Sequence, residues 1–480
     1  MIKKIFRKKT IEDFSTQINE ENELSRDLSL FSIVLLGIGA IVGSGIFVIT
    51  GTAASQHAGP AITISFIISA IGCLFAALCY AEFVSLAPIS GSAYSYSYLT
   101  MGEIFAWVLG WDLILEYALS ISTVSVGWSG YFDNILSIIG INLPEYLLNP
   151  TFALTNTGLT LSGSIINLPA VFIIAVIAVI VIKGIKESSW TNTLVVLTKI
   201  IVIFLVIGFG ISFINPSNWI PFIPPNTGTF GKFGLSGILT GAGVVFISYI
   251  GFDALTTLSQ ETKNPKRNIP IAIVLSLIVC TILYVLVSLV LTGIVNYTQL
   301  NVPAPFSLAV TEMGANFSWL NVVVNIGAIF GITSVLLVMQ TGLSRIAYNI
   351  SKDGLLPKLF SKISKFKTPY KTTIIVSIAC MVISGLFPIS FLSEMVSIGT
   401  LLAFTLVSLS VLVLRKTNPQ LPRGFKVPLM PLIPILAIVI CLSQMIALPV
   451  ATWLRLLIWM LIGLIIYGIY GFKNSKLSKD

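Results

Sequence analysis

Charge is the scarcest property of this chain. Only 10% of its 480 residues are Asp, Glu, Lys or Arg, against about a quarter in an average soluble domain. With 55% of residues hydrophobic and a mean hydropathy of +0.96, a water-soluble globule is excluded. Histidine is scarcer still: His57, beside the sequence AGPA, is the only one and reads as a loop residue at a span end. The five cysteines, Cys73, Cys79, Cys280, Cys380 and Cys441, lie in apolar runs without metal-ligand spacing and read as small apolar residues. An intramembrane enzyme needs a nucleophile, base or metal set at depth, and a receptor needs a sizeable soluble domain; the chain offers neither. The basic start, followed by a polar stretch from Thr10 to Asp27, leads into a full-length span and is not expected to be a cleaved signal peptide.

What is abundant is apolar sequence in span-sized runs. A membrane helix needs about 20 apolar residues, and twelve such runs can be placed: 30–57, 61–87, 104–132, 168–183, 190–214, 235–260, 270–294, 320–350, 372–388, 394–414, 430–449 and 452–472. The chain therefore reads as an all-α, multi-pass membrane protein. All Lys and Arg except Lys199, Lys232 and Arg455 fall before the first span or after alternate spans. By the positive-inside bias both termini are expected to be cytoplasmic, and the net charge of +9 needs no nucleic acid to explain it. The expected divisions are an N-terminal segment 1–29, spans one to five in 30–214, spans six to ten in 235–414, a final pair in 430–472 and a tail 473–480.

Two of these spans are not uniform. Gly37 to Gly51 reads GIGAIVGSGIFVITG, with Gly43, Ser44 and Gly45 near mid-run. Each glycine costs a helix interior about 1 kcal/mol relative to alanine, and bare backbone at membrane depth survives only where it lines a protein-enclosed cavity. A break there would offer N–H groups and a positive helix end to a carboxylate, and free carbonyls to an ammonium group or small cation. These two sets match the two ends of a zwitterionic amino acid. A second reading also stands, in which the glycines let neighbouring helices pack closely. The sixth span, GAGVVFISYIGF, repeats the pattern at a constant offset of 204, pairing Gly37 with Gly241, Gly39 with Gly243, Ser44 with Ser248 and Ile46 with Ile250. The first and sixth spans would cross in opposite directions, and paired broken helices in inverted halves point to a secondary transporter's mid-membrane site.

A few charges lie deep. Lys199 sits about 13 Å into a layer roughly 30 Å thick, where a lysine costs about 2.5–3.5 kcal/mol on insertion scales. It must have partners or be neutral for part of its cycle. Asp112 and Glu116 are one turn apart on one face of the third span. Glu116, about 18 Å along that span, is expected to face the bundle interior. Glu82, near the end of the second span, reads as a solvated or capped helix-end charge. The loop 132–168, polar and free of Lys and Arg, predicts nothing specific.

The segments LSRDLSLFSIVLLGIGAIVGSGIFVITG, AGPAITISFIISAI, CYAEF, ISGSAYSY, YIGFDALTTLSQETKNPKRNIP and SRIAYNISKDGLLP, in order along nearly the whole chain, resemble the bacterial cationic amino acid transporter family of the amino acid, polyamine and organocation superfamily. The resemblance implies a LeuT-type fold: a five-plus-five inverted repeat of twelve transmembrane helices with the first and sixth unwound. It implies a substrate carboxylate at Gly43, Ser44 and Gly45, and an amino group at the carbonyls of Ile41 and of Val245, Phe246, Ile247 and Ser248, with Ile250 beside them. It further implies that Lys199 takes the place of a sodium ion, near Gly39 or Val42 and near Thr333 or Ser334. Relatives often carry two aromatics before the YIGFD match; here Phe246 is followed by Ile247, which implies a wider pocket.

The function expected is import of L-amino acids across the plasma membrane by alternating access, with a proton as coupling ion and no other cofactor or metal. Burial penalises the charged form of an amine, so Lys199 would alternate between protonated and neutral forms. The glycines and aliphatics suggest small or branched neutral substrates. A cationic substrate would need an acid, for which Glu116 or Asp253 could serve, and a cationic uniporter or an exchanger remains the alternative. The expected partners are the substrate and the lipid bilayer, with a small helical membrane subunit left open.

Overall fold

Helix ends follow the punctuation in the sequence. The computed structural model describes residues 7–8, 28–43, 45–86, 93–155, 158–184, 189–252, 255, 262–366, 368–421 and 423–478. In order, its principal helices are α1 (Leu30–Ile41), α2 (Ile62–Leu86), α3 (Ala93–Thr100), α4 (Glu103–Ile138), α5 (Leu168–Lys183), α6 (Ser189–Gly210), α7 (Gly234–Val245), α8 (Pro265–Ile294), α9 (Pro305–Glu312), α10 (Ser318–Lys352), α11 (Tyr370–Leu386), α12 (Ile389–Thr417), α13 (Leu432–Ala447) and α14 (Val450–Ile466). Helix α5 shows why the boundaries are legible. Asn167 caps it by accepting the Ala170 N–H at 3.1 Å, Pro169 sits in its first turn, and Gly184 ends it in the left-handed region at φ 67°.

Seven helical stretches among the described residues are long and apolar enough to cross a membrane, and four shorter apolar helices accompany them. Their outward faces match that setting. On α14, Val450, Leu454, Ile458, Leu461 and Ile465 form a stripe, each more than half exposed, which suits lipid rather than water. The loop after α4 is not featureless. It holds a small antiparallel hairpin, β1 (Phe152–Thr155) with β2 (Gly158–Leu161), whose Phe152 ring stacks on Phe387. The expectation of a wholly helical chain is corrected to that extent.

The helices sort into two groups. Helices α1, α2, α7 and α8 pack chiefly on one another, while α4, α5, α10 and α11 form a second set. Helix α6 lies against α1, α8 and α10, and α12 joins α4 to α13.

Two charge expectations are corrected by packing. Glu82 is 1% exposed rather than solvated. Its carboxylate accepts from Arg415 Nε and Nη2 (2.7 and 2.8 Å), Arg423 Nε (3.0 Å) and the Val427 N–H (2.8 Å). That cluster ties the end of α2 to the end of α12 and to the loop following it. His57 is buried rather than in an open loop: its Nδ1–H donates to Gly231 O at 2.9 Å, and its own carbonyl accepts the Phe233 N–H. On the face where basic residues gather, the buried Tyr94 hydroxyl donates to Asp353 at 2.8 Å. Burial first, and the Asp353 charge second, push that phenol well above its usual range, so it stays a donor.

Removing one partner from a buried ion cluster strands the others. Glu82→Gln should lower stability by about 3 kcal/mol or more, read as a marked fall in thermal unfolding temperature in detergent. Glu145→Gln, in the loop after α4, should leave it unchanged.

Candidate functional site

The break in the first span comes where the glycines cluster. Helix α1 stops at Ile41, Val42 is extended, and the chain resumes as a π-turn, Gly45–Ile49. Helix α7 stops at Val245, passes through a 3-10 turn, Phe246–Tyr249, and becomes extended at Ile250. Ile41 and Val245 are separated by the same offset at which the glycines align, so the repeat read in the sequence recurs as two interruptions in register. Gly251, at φ 118°, is the turn that Ile250 leads into. Ser44 and Asp253 lie outside the described residues.

The two interruptions touch. A methyl group on Gly45 would collide with Ser248 Cα, and one on Gly251 would lie 2.5 Å from Ala40 O. Gly45 thus meets Ser248 while Ala40 meets Gly251, so the contacts run in opposite order along the two segments. Close packing and broken backbone are therefore not alternatives here, since the same glycines supply both.

Carbonyls released by the breaks are taken up by side chains of other helices. Lys199 of α6, 1% exposed, donates from Nζ to Gly39 O at 2.9 Å and to Val42 O at 3.1 Å. In an uninterrupted helix those oxygens would receive the N–H groups of Gly43 and Ile46. The Tyr284 hydroxyl of α8 lies 3.0 Å from Ile41 O and 2.7 Å from Ser248 O. It has one proton for two acceptors, so these carbonyls keep lone-pair capacity. Ser397 donates to Val244 O at 3.1 Å and Tyr131 to Phe47 O at 2.6 Å.

The eighth span borders Lys199 as well. Thr333 donates to Ile329 O at 2.7 Å and accepts from Trp128 Nε1 at 3.0 Å. Helix α10 meets Lys199 at Gly331, where a methyl would fall 2.9–3.2 Å from the lysine's stem carbons. Ser334, three residues on from Gly331, is buried. Val196, Lys199 and Val202, spaced by three along α6, seat against Gly39, Gly331 and Gly327. Gly327 and Gly331, four apart, present one smooth helix face for that approach.

Beside the breaks lies a cavity of about 20 Å³, lined by Ala40, Ile250 and Gly251, by Tyr117 and Ser120 of α4, and by Val335, Val338 and Met339 of α10. It is large enough for a water molecule. Gly43 borders it through Val335, the nearest side chain to a methyl placed there. Of the polar atoms here, Ser120 Oγ and the neighbouring Ser248 Oγ are buried with no hydrogen-bond partner among the described residues. Phe246 and Ile247 are both buried, and the Phe246 ring packs on Phe404 at 5.3 Å.

Glu116 is buried one turn from Ser120, and Asp112, fully buried, points a carboxylate oxygen at Gly399 of α12. Sequence reasoning missed Tyr117, Ser120, Tyr284, Val335, Val338 and Met339. The one signal available was the four-residue step from Asp112 to Glu116 to Ser120, which marks the inner face of α4.

A family model described as amino acid permease matches residues 28–469. The chain is 46% identical to the branched-chain amino acid permease BcaP of Bacillus subtilis over 99% of both chains. It is 44% identical to the methylthioribose transporter of the same organism, again over 99% of both. With the vacuolar cationic amino acid transporter 4 of Arabidopsis thaliana it shares 37% identity over 83% of this chain and 65% of that one. An integral membrane chain with this span of matching sequence belongs to the amino acid permease family, in the amino acid, polyamine and organocation superfamily, as a relative of bacterial BcaP and of the cationic amino acid transporters.

Proposed function

We propose that the chain imports a neutral, branched or small apolar L-amino acid across the plasma membrane by proton-coupled alternating access. The carrying observation is Lys199. Its ammonium donates to two carbonyls freed by the break in α1, while its stem lies in the glycine slot of α10. It therefore stands where the two helix groups meet. Protonated, Nζ holds α1 toward α10; on losing its proton to the cytoplasmic side it keeps at most two donors and no charge, and α1 is released.

Several features support a twelve-span, five-plus-five inverted repeat with both termini cytoplasmic. Each helix group takes two consecutive helices from the first half (α1 and α2, or α4 and α5) and two from the second (α7 and α8, or α10 and α11). The two interruptions share one offset and meet in antiparallel order.

In this reading the substrate carboxylate meets the N–H groups around Gly43, Ser44 and Gly45. The amino group shares the carbonyls of Ile41 and Ser248 with Tyr284, and the chain near Val245, Phe246, Ile247 and Ile250 completes the wall. The hydroxyls of Ser120 and Ser248 remain available to either end of the substrate. Ile250, Val335, Val338 and Met339 suit an aliphatic side chain. The similarity to a branched-chain amino acid permease agrees with this choice. A second reading, uptake of a neutral thioether sugar, is favoured by the equally long match to the methylthioribose transporter, with the Tyr117 and Ser120 hydroxyls meeting the sugar.

Two measurements test the proposal. In liposomes with an imposed pH gradient, Lys199→Ala should lower leucine uptake about tenfold or more, since two buried carbonyls lose charge-assisted bonds worth about 1.5–3 kcal/mol each, and residual uptake should ignore the gradient. Proton dependence that persists in the variant would remove the coupling role. In competition uptake, unlabelled leucine, isoleucine and valine should displace labelled leucine, while lysine and arginine in about tenfold excess should not. Uptake of labelled methylthioribose with no uptake of labelled leucine would favour the second reading, displacement by lysine and arginine would bring Glu116 and Asp253 forward, and strict dependence on internal amino acid would indicate exchange.

A further inference from the structure

Away from the breaks, the outer surface of the α2 and α8 pair carries a groove of about 440 Å³, within the size range of ligand sites. It has two chemically distinct ends. Lys266 and Arg267, in the first turn of α8, form one. Pro270, Ile271, Val274 and Leu275, the next two turns of the same helix, form the other, closed by Leu78 of α2 and by Phe425 in the loop after α12. Leu275 is 41% exposed, so the apolar end opens outward along an apolar helix. Two cations at the mouth of an apolar trough, at the boundary where a membrane-length helix begins, match the two halves of one molecule.

We propose that this groove binds an anionic phospholipid of the leaflet on the basic face. The phosphodiester would sit between Lys266 and Arg267, and an acyl chain would run along Ile271, Val274 and Leu275. Charge complementarity selects the headgroup, because a zwitterionic lipid carries its own cation to the same place.

The site is built, not merely basic. The Lys266 stem crosses Gly424, where a methyl would come within 2.6–2.7 Å of its Cβ, Cγ and Cδ, so the absence of a side chain at 424 is what seats it. The loop carrying Gly424 and Phe425 is anchored by Glu82 through Arg423 and the Val427 N–H. Glu82, the nearby acid on α2, is already held by two arginines and does not repel a phosphate. The groove is also tied to the broken helix. Leu28, two residues before α1, pairs with Thr262 and accepts the Lys263 N–H at 3.0 Å, so the entry to the broken helix is tied to the chain three residues ahead of Lys266. An occupied groove would steady the start of α8, and with it the entry to α1.

The test reads lipid retention without substrate, so it stands or falls independently of the transport proposal. Purified protein is offered phosphatidylglycerol or phosphatidylcholine in mixed micelles, and retained lipid is counted by native mass spectrometry. Wild type should retain phosphatidylglycerol in preference. Lys266→Gln and Arg267→Gln should each weaken retention roughly fivefold, as expected for about 1 kcal/mol per surface cation. Val274→Trp, which plugs the apolar end and leaves both cations in place, should lose the lipid as well. Lys362→Gln with Lys365→Gln, on another exposed basic loop, should retain it. Equal retention of phosphatidylcholine, equal protection of the thermal transition by inorganic phosphate, or Lys266, Arg267 and Val274 variants indistinguishable from wild type would overturn the assignment.

Discussion

Every main-chain donor and acceptor inside a bilayer must be satisfied by protein, because lipid tails offer nothing. The rest of the structure depends on how this chain breaks two helices under that constraint. At the first break, carbonyls 39 and 42 pass to Lys199 and carbonyl 41 to Tyr284; at the second, carbonyl 248 passes to the same tyrosine and 244 to Ser397. Each donor comes from a different helix, so the broken segments are held by their surroundings rather than by their own ladders. A segment held that way can be released by changing one donor.

The glycines give the constraint its geometry. Side chains from α6 and α10 enter slots that any larger residue would fill, at Gly39, Gly43, Gly327 and Gly331, and the two interruptions meet at Gly45 and Gly251. Removing side chains at these positions both weakens the helix and shortens the distance to its neighbours. One composition thus serves two demands that looked like rival explanations.

The buried charges divide by how they are satisfied. Glu82 takes four donors from Arg415, Arg423 and the Val427 N–H, and such a fully engaged carboxylate acts as a fixed joint between α2 and the loop after α12. Lys199 donates to two backbone carbonyls, acceptors that carry no full charge. The first arrangement joins charge to charge, and the second joins a charge to opened backbone.

Much of this was readable in advance because it rests on local chemistry. Apolar run length, the glycine offset and the depth of Lys199 together with its carbonyl partners Gly39 and Val42 are all properties of a residue and its chain neighbours, or follow from family resemblance. The expectations for Glu82 and His57 failed for one reason. Their partners, Arg415 and Arg423 for the one and Gly231 for the other, lie more than 170 residues away in sequence, and no local pattern names them. The same holds for Tyr284 and Ser120, ordinary residues in apolar spans until folding sets them beside opened backbone. Composition and spacing determined that two helices break and roughly where; only the packing of distant helices decided which side chain satisfies each freed group, because a hydrogen bond is a matter of a few ångströms in space and not of separation along the chain.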